Sequence, residues 1–140
     1  FELFILDLKP PQERSMPAND GQNIIYYLAH DDEGERLRKI VAPLFHEDGS
    51  LAVTVVSGRA NEIVDTDIIF DGISHKFSID HFSYDSFDVE RVALHELGHS
   101  LGLVHSDDPT STMFYGESPF EFSSTTLDIQ TAQLLDCEYK

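Results

Sequence analysis

One stretch of eleven residues limits the folds open to this chain more than any other. Residues 95–105 read HELGHSLGLVH, in which His95 and His99 stand four residues apart. Residues four apart lie on one face of an α-helix, about one turn apart, so both imidazoles can reach a single metal ion. Gly102 tolerates the left-handed backbone that ends helices, and the turn after it brings His105 back as a third ligand. The fold therefore needs a helix that ends in a sharp turn here.

The number and spacing of potential ligands in this stretch are typical of a catalytic zinc site. Three protein ligands leave one coordination position of zinc open, whereas structural zinc is usually closed by four. Glu96, beside the first histidine, is placed to accept a proton from water and to pass it to a leaving amine. The sequence predicts one zinc ion per chain, held by His95, His99 and His105, with Glu96 as general base. Helices that bind no metal also carry paired histidines, but five fixed positions disfavour that alternative.

Sites for other cations are less clearly indicated. The remaining histidines have no ligand spacing and are interpreted as ordinary surface or packed residues; they are His30, His46, His75 and His81. A second cation site between His75 and His81 is the weaker alternative. Calcium is a further alternative at two acidic segments, although no twelve-residue calcium-binding loop is present. These segments are Asp107 with Asp108, and the turn that contains Asp65, Asp67 and Asp71.

Secondary-structure signals around the motif predict an α+β fold. Segments rich in β-branched residues predict strands, and the last of them ends at the turn signal Asp71-Gly72. Apolar residues at helical spacing predict a helix over residues 87–101, with Asp85 or Ser86 as its N-cap. Residues 125–128 have the form of a capping box and predict a closing helix. The order of strands before helices favours the α+β class. The predicted strands cover residues 1–6, 23–28, 51–56 and 61–70.

The motif and its surroundings resemble the metzincin zinc peptidases, and among these they are most similar to the matrixins, particularly the compact bacterial members. The resemblance implies a single catalytic domain over residues 1–140 with a mixed twisted sheet, a zinc-binding helix, a Met-turn at Met113 and a C-terminal helix. It also implies a protein or peptide substrate and a secreted, extracellular or periplasmic location. The residues that carry it are 20–25, 51–54, 63–68, 92–94 and Ser106.

The residues after Met113 depart from the matrixin pattern. Matrixins usually follow this methionine with tyrosine and proline, whereas the order here is Met113-Phe114-Tyr115-Gly116. The Met-x-Tyr order resembles astacins and serralysins, in which the tyrosine approaches the metal. By that resemblance Tyr115 is a fifth ligand or a donor to the oxyanion of the transition state. The alternative, which we favour, is a wall residue of the substrate pocket.

The start of the chain is the second departure. A matrixin domain normally opens with a strand and a long helix, whereas Phe1 already lies in what resembles a later strand. We therefore expect an N-terminal segment or propeptide to be missing. The internal candidate for the helix is residues 32–45, with apolar residues at helical spacing that Gly34 and Pro43 interrupt. We interpret this segment as a short helix or an insertion beside the cleft.

The charge of the chain limits its partners. A formal net charge of −17 over 140 residues disfavours nucleic acid and anionic membrane surfaces, because their phosphates would be repelled. No apolar run is long enough to cross a membrane. Cys137 is the single cysteine, so an intrachain disulfide is ruled out. Together with the motif, these features predict a zinc-dependent endopeptidase. The alternative is a zinc-bearing pseudopeptidase or peptide-binding module, against which the intact Glu96 argues.

Overall fold

The computed structural model describes residues 19–45, 49–60, 62–79 and 85–115. The chain forms two compact units, and the division falls between His75 and Lys76. A sheet with one helix makes up the described part of the first unit, and a short strand pair with a second helix belongs to the second unit. The α+β class is therefore confirmed. The predicted strand at residues 1–6 and the closing helix at 125–128 lie outside the described residues.

A three-stranded mixed sheet in the order β1-β3-β2 organises the first unit. Strand β1 (Ile25–Tyr27) runs parallel to β3 (Glu62–Phe70), while β2 (Ala52–Arg59) runs antiparallel to it. The predicted strands at 23–28, 51–56 and 61–70 are thus found with small shifts. Strand β2 extends to Arg59, because its pairing with β3 continues through a bulge between Ser57 and Gly58 almost to the hairpin turn.

Side chains continue the pairing of β1 with β3 beyond the strand itself. In the segment before β1, two backbone amides donate to aspartate side chains of β3, and an asparagine side chain accepts from a backbone amide of β3. These bonds take the place of the backbone pairs of a β-ladder. Because buried backbone groups need partners, these contacts fix the register of the segment. They explain why β3 contains the buried aspartates Asp65 and Asp67. The bonds run from Gly21 N to Asp65 Oδ1 (2.8 Å), from Thr66 N to Asn23 Oδ1 (2.8 Å) and from Ile24 N to Asp67 Oδ1 (3.1 Å).

Helix α1 (Asp32–Val41) contributes Leu37 and Val41 to a core cluster that also contains residues of the sheet. Asp31 caps the helix, because its carboxylate accepts a hydrogen bond of 2.7 Å from Gly34 N. The helix gives way to a 3-10 turn at Ala42–Leu44, since Pro43 has no backbone N–H to continue the helical hydrogen bonds. The segment is thus a short helix. The expected loss of an N-terminal strand and helix stays a prediction. The buried core of the unit consists of Tyr26, Leu28, Leu37, Val41 and Ile69.

The second unit begins with a short parallel strand pair that leads into a helix. Strand β4 (Phe77–Ser78) pairs with β5 (Phe87–Asp88), and helix α2 (Val89–Ser100) follows directly. Asp88 is the N-cap: its carboxylate accepts hydrogen bonds from the next turn, at 2.9 Å from Glu90 N. The predicted N-caps, Asp85 and Ser86, are therefore wrong. Residues 87 and 88 are held in β5, so the helix cannot begin before residue 89.

The two α-helices in the described part of the chain are short, with ten residues in α1 and twelve in α2. None of the helices there has both the length and the apolar content that a bilayer crossing requires. Helix α1 carries charged residues in its first and last turns, and α2 contains several polar ones.

Candidate metal centre

Helix α2 and the turn after it bring three histidines together. His95 and His99 lie one helical turn apart on α2, and His95 is 7% exposed. The helix ends where Gly102 adopts a φ of 88°, a left-handed conformation that glycine accepts without strain. Gly102 N donates a hydrogen bond of 2.9 Å to His99 O, and the chain then returns to place His105 beside the helix. The turn predicted at Gly102 is thus present.

The three imidazoles converge through their Nε2 atoms. His99 Nε2 lies 3.1 Å from His95 Nε2 and 3.1 Å from His105 Nε2. In a tetrahedral zinc site with Zn–N bonds of 2.0–2.1 Å, two ligand nitrogens stand about 3.3 Å apart. Within the described ranges, these histidines are the group of three or more potential ligands close enough to hold one metal ion. The donor set and its spacing fit zinc.

Hydrogen bonds on the opposite ring nitrogens set the tautomers of two of these histidines. His95 Nδ1 donates to Thr112 O at 2.9 Å, and His99 Nδ1 donates to Leu103 O at 2.8 Å. When Nδ1 carries the proton, the neutral ring presents a lone pair at Nε2. Two lone pairs 3.1 Å apart repel each other unless a cation lies between them. Both rings are therefore oriented as metal ligands.

Burial favours the neutral, metal-binding form of two histidines. Removal from water lowers the pKa of His95 to about 4, against a smaller opposing contribution from its bond to Thr112. The neighbouring His99 and His105 lower it further. Burial also lowers the pKa of His105, with His99 as the second cause. Because a metal ligand must be deprotonated, His95 is ready to bind at neutral pH without releasing a proton.

Met113 packs against α2 at a residue that the sequence interpretation missed. Its side chain is 2% exposed, and its sulfur occupies the space that a Cβ atom at Gly98 would need. Glycine within a helix costs about 1 kcal/mol relative to alanine, so its presence between two ligands signals a close approach. That signal was available in the sequence. The carbonyls of Leu103 and Thr112 were also missed, because any residue can supply a backbone carbonyl.

Glu96 and Tyr115 occupy contrasting environments. Glu96 follows His95 on α2 and is 5% exposed, so a carboxylate is buried beside the first ligand. Tyr115 is 64% exposed, and its ring centroid lies 4.8 Å from that of Phe114. An exposed ring is compatible with a pocket wall and with a side chain that turns toward a bound substrate. Both roles of Tyr115 therefore stay predictions.

The residues considered for other cations serve different purposes where they are described. The carboxylates of Asp65 and Asp67 accept hydrogen bonds from the segment before β1, and that of Asp71 accepts one from Ser74 N. Asp108 Oδ1 accepts a hydrogen bond of 2.9 Å from Thr110 N. Calcium at these residues stays a prediction. His30 is exposed and lies 3.8 Å from a Glu35 oxygen, and the alternative site at His75 and His81 includes a residue outside the described ranges.

Comparison with known proteins places the metal centre within a recognised sequence pattern. Residues 41–135 match the family model described as Matrixin. The chain is 44% identical over 46 residues to a probable matrix metalloproteinase, 095L, of Invertebrate iridescent virus 3. The aligned residues make up 33% of this chain and 13% of that protein. It is 38% identical over 72 residues to matrix metalloproteinase-16 of Homo sapiens and of Rattus norvegicus, covering 51% of this chain and 11% of each relative. The chain thus spans a small part of these relatives' length.

Proposed function

The chain belongs to the matrixin family, and from that premise we propose that it is a zinc-dependent endopeptidase. The observation that carries the proposal is the convergence of His95, His99 and His105 through Nε2 atoms 3.1 Å apart. A purely structural site would be closed by a fourth protein ligand, whereas three ligands leave room for substrate and water. Helix α2 is then the zinc-binding helix, and Met113 forms the Met-turn beneath it.

The proposed chemistry divides between the metal and the protein. When bound, zinc supplies Lewis acidity that polarises the scissile carbonyl and makes water more acidic. Glu96 accepts the proton of the attacking water and delivers it to the amine that leaves. Burial of this carboxylate among the ligands keeps bulk water from competing for the proton. Tyr115 either donates a hydrogen bond to the oxyanion of the tetrahedral intermediate or lines the pocket.

The remaining parts of the proposal follow from the family. The substrate is a protein or peptide, and one catalytic zinc ion is bound per chain. We propose that residues 1–140 belong to one catalytic domain and that the protein acts in a secreted, extracellular or periplasmic setting. The large negative charge is compatible with cationic substrates, but we favour its interpretation as a solvated acidic surface that maintains solubility.

Cleavage of an unbiased peptide library tests the function. The purified chain and its Glu96→Gln variant are compared at equal zinc loading, with zinc content measured in parallel. Glu90→Gln is the matched control, because Glu90 is an exposed carboxylate in the first turn of the same helix. We expect Glu96→Gln to keep its zinc and to lose turnover by roughly 10²- to 10⁴-fold, and Glu90→Gln to cleave like the parent.

Three outcomes separate the alternatives. Turnover in the parent that a hydroxamate chelator inhibits supports the endopeptidase and reports its preference from the cleavage sites. Retained turnover in Glu96→Gln would contradict the assigned base. Stoichiometric zinc without cleavage in the parent would favour a zinc-bearing binding module instead.

A further inference from the structure

The rings of His95 and His99 are oriented by different kinds of contact. His99 Nδ1 donates to Leu103 O, four residues away, and Leu103 N in turn donates 3.0 Å to Gly98 O. This ligand is thus held by the turn that ends its own helix. His95 Nδ1 donates to Thr112 O, 17 residues away in sequence. The orientation of His95 therefore depends on whatever fixes the position of the Thr112 carbonyl.

Thr112 lies near the end of a loop whose two ends are joined by a hydrogen bond. The loop, residues 106–113, starts directly after the third ligand, His105, and ends at Met113. Ser106 N donates a hydrogen bond of 2.7 Å to Met113 O, which ties the two ends of the loop together. Met113 is itself buried against Gly98 of α2. The loop thus connects the third ligand to the carbonyl that orients the first.

Asp108 organises the first half of this loop. Its Oδ1 accepts hydrogen bonds from Thr110 N at 2.9 Å and from Thr110 Oγ1 at 2.7 Å. Its backbone N donates 3.1 Å to Ser106 Oγ, and its carbonyl accepts 3.0 Å from Ser111 N. Bonds to an ionised carboxylate are stronger than neutral ones. One residue therefore connects both ends of the turn that precedes Thr112.

Ser111 fixes the backbone on both sides of Thr112. Its side chain is buried, and its Oγ accepts a hydrogen bond of 3.1 Å from Met113 N. Its carbonyl accepts a second bond, also 3.1 Å, from Phe114 N. The peptide groups before and after Thr112 are thereby held in one conformation. The carbonyl of Thr112 is left pointing at His95.

We propose that Asp108 and Ser111 are positioning residues, which orient the His95 imidazole for metal binding by holding the Thr112 carbonyl in place. The inference rests on the proposed function, since it concerns the same zinc site. Neither residue touches the metal or the reacting atoms in this role. Loss of an outer hydrogen-bond partner of a metal-bound histidine typically costs 10- to 100-fold in metal affinity. Asp108 and Ser111 act one step further out, so the lower end of that range applies.

Four variants test the proposal. Asp108→Ala and Ser111→Ala each remove an acceptor, whereas Asp108→Asn keeps an oxygen that can still accept from Thr110. Asp107→Ala is the matched control, because it removes the same charge from the exposed neighbouring residue. The readouts are the zinc dissociation constant by competition with a chromophoric chelator, the visible spectrum of the cobalt-substituted protein, and the melting temperature of the metal-free protein.

We expect Asp108→Ala and Ser111→Ala to weaken zinc binding by about tenfold and to shift the cobalt spectrum. Asp108→Asn should recover most of the affinity, and Asp107→Ala should match the parent. A lower melting temperature with unchanged zinc affinity and cobalt spectrum would mean a merely structural role and would overturn the proposal. If Asp108→Ala fails to fold, Ser111→Ala and Asp108→Asn decide by the same readouts.

Failure of this inference is distinguishable from failure of the proposed function. Zinc affinity that depends on Asp108 and Ser111 supports the inference even if the parent cleaves no peptide. Cleavage by the parent with zinc affinity that is insensitive to both residues would leave the endopeptidase standing and remove the positioning role. An equal loss of affinity in Asp107→Ala would assign the effect to charge and would also contradict it.

Discussion

The two helices begin alike but bury different residues. Asp31 caps α1 through Gly34 N at 2.7 Å, and Asp88 caps α2 through Glu90 N at 2.9 Å. Helix α1 also has acidic residues in its first turn and basic residues in its last, which suit the helix dipole. Its buried residues are Gly34, Leu37 and Val41, whereas those of α2 are Val92, His95, Glu96, Gly98 and Ser100.

This difference indicates how each helix is stabilised. Burial of Leu37 and Val41 removes apolar surface from water and stabilises α1 without further help. Burial of His95 and Glu96 removes polar groups from water, which costs free energy unless partners compensate. The Thr112 carbonyl supplies part of that compensation for His95, and in the proposed site zinc would add to it, because metal affinity and folding free energy are coupled. We therefore expect α1 to depend on packing and α2 to depend on zinc.

The largest effects should come from removing one source of stability at a time, the apolar packing of α1 or the zinc ligands of α2. Leu37→Ala should lower the free energy of unfolding by about 2–5 kcal/mol, since Leu37 is 2% exposed in the core of the first unit. Zinc content per folded chain should not change. Urea unfolding with and without zinc, together with metal analysis, checks both statements.

His99→Ala should behave in the opposite way. It removes a ligand, so zinc no longer raises the free energy of unfolding, whereas the parent gains about 4 kcal/mol when free zinc exceeds its dissociation constant a thousandfold. The same unfolding experiment measures both. A zinc-dependent gain that persists in His99→Ala would show that the three histidines are not the site.

Each helix contains a buried glycine, Gly34 in α1 and Gly98 in α2. A Cβ at Gly34 would overlap the backbone carbonyl of Ala29, while a Cβ at Gly98 would overlap the side-chain sulfur of Met113. Backbone cannot move aside as a flexible side chain can. Gly34→Ala should therefore cost about 1–3 kcal/mol of unfolding free energy, as overpacking usually does. Gly98→Ala should cost less, because the better helix propensity of alanine offsets part of the strain.

A double-mutant cycle locates the strain at Gly98. Met113→Ala removes the sulfur, so Gly98→Ala should destabilise the parent more than it destabilises the Met113→Ala background, by an interaction energy of roughly 0.5–3 kcal/mol. The unfolding free energies of the four proteins measure it. Additive effects would contradict the proposed contact. Gly34→Ala in the Met113→Ala background serves as the control, since Met113 does not limit the space at Gly34.

The sequence was more informative about the metal centre than about the elements around it. His95, His99 and His105 lie within one helix and its terminal turn, so local spacing predicts their convergence. The N-cap at Asp88 was missed because it depends on the pairing of β4 with β5, two-residue strands that carry no alternating pattern of their own. The roles of Asp65 and Asp67 were missed because their partners precede β1. Contacts between distant segments leave little trace in local pattern.

The smallest expected effect concerns the ion pairs of α1. Arg38 Nε lies 3.0 Å from Asp71 Oδ2, whose side chain is 2% exposed, whereas Arg36 pairs with Glu33 on the exposed side. Burial by itself would raise the pKa of Asp71, but hydrogen bonds from Ser74 and Ile73 and the charge of Arg38 outweigh it and lower the pKa overall. The folded protein therefore holds this carboxylate ionised at pH values where the unfolded chain is protonated.

Acid should consequently remove a stabilising contribution that depends on Asp71. Because the unfolded chain binds more protons in this window, the free energy of unfolding rises with pH there. The contribution is complete above the ordinary aspartate pKa of about 3.9 and is lost as the pH falls through the lowered folded value.

Asp71→Asn should cost roughly 1 kcal/mol at pH 6 and progressively less toward pH 3. Glu33→Gln, the control at the more exposed ion pair, should change stability by less than about 0.5 kcal/mol at either pH. Urea unfolding of the zinc-free proteins from pH 3 to 6 excludes the metal from the comparison, and a difference between parent and Asp71→Asn that does not vary with pH would contradict the lowered pKa.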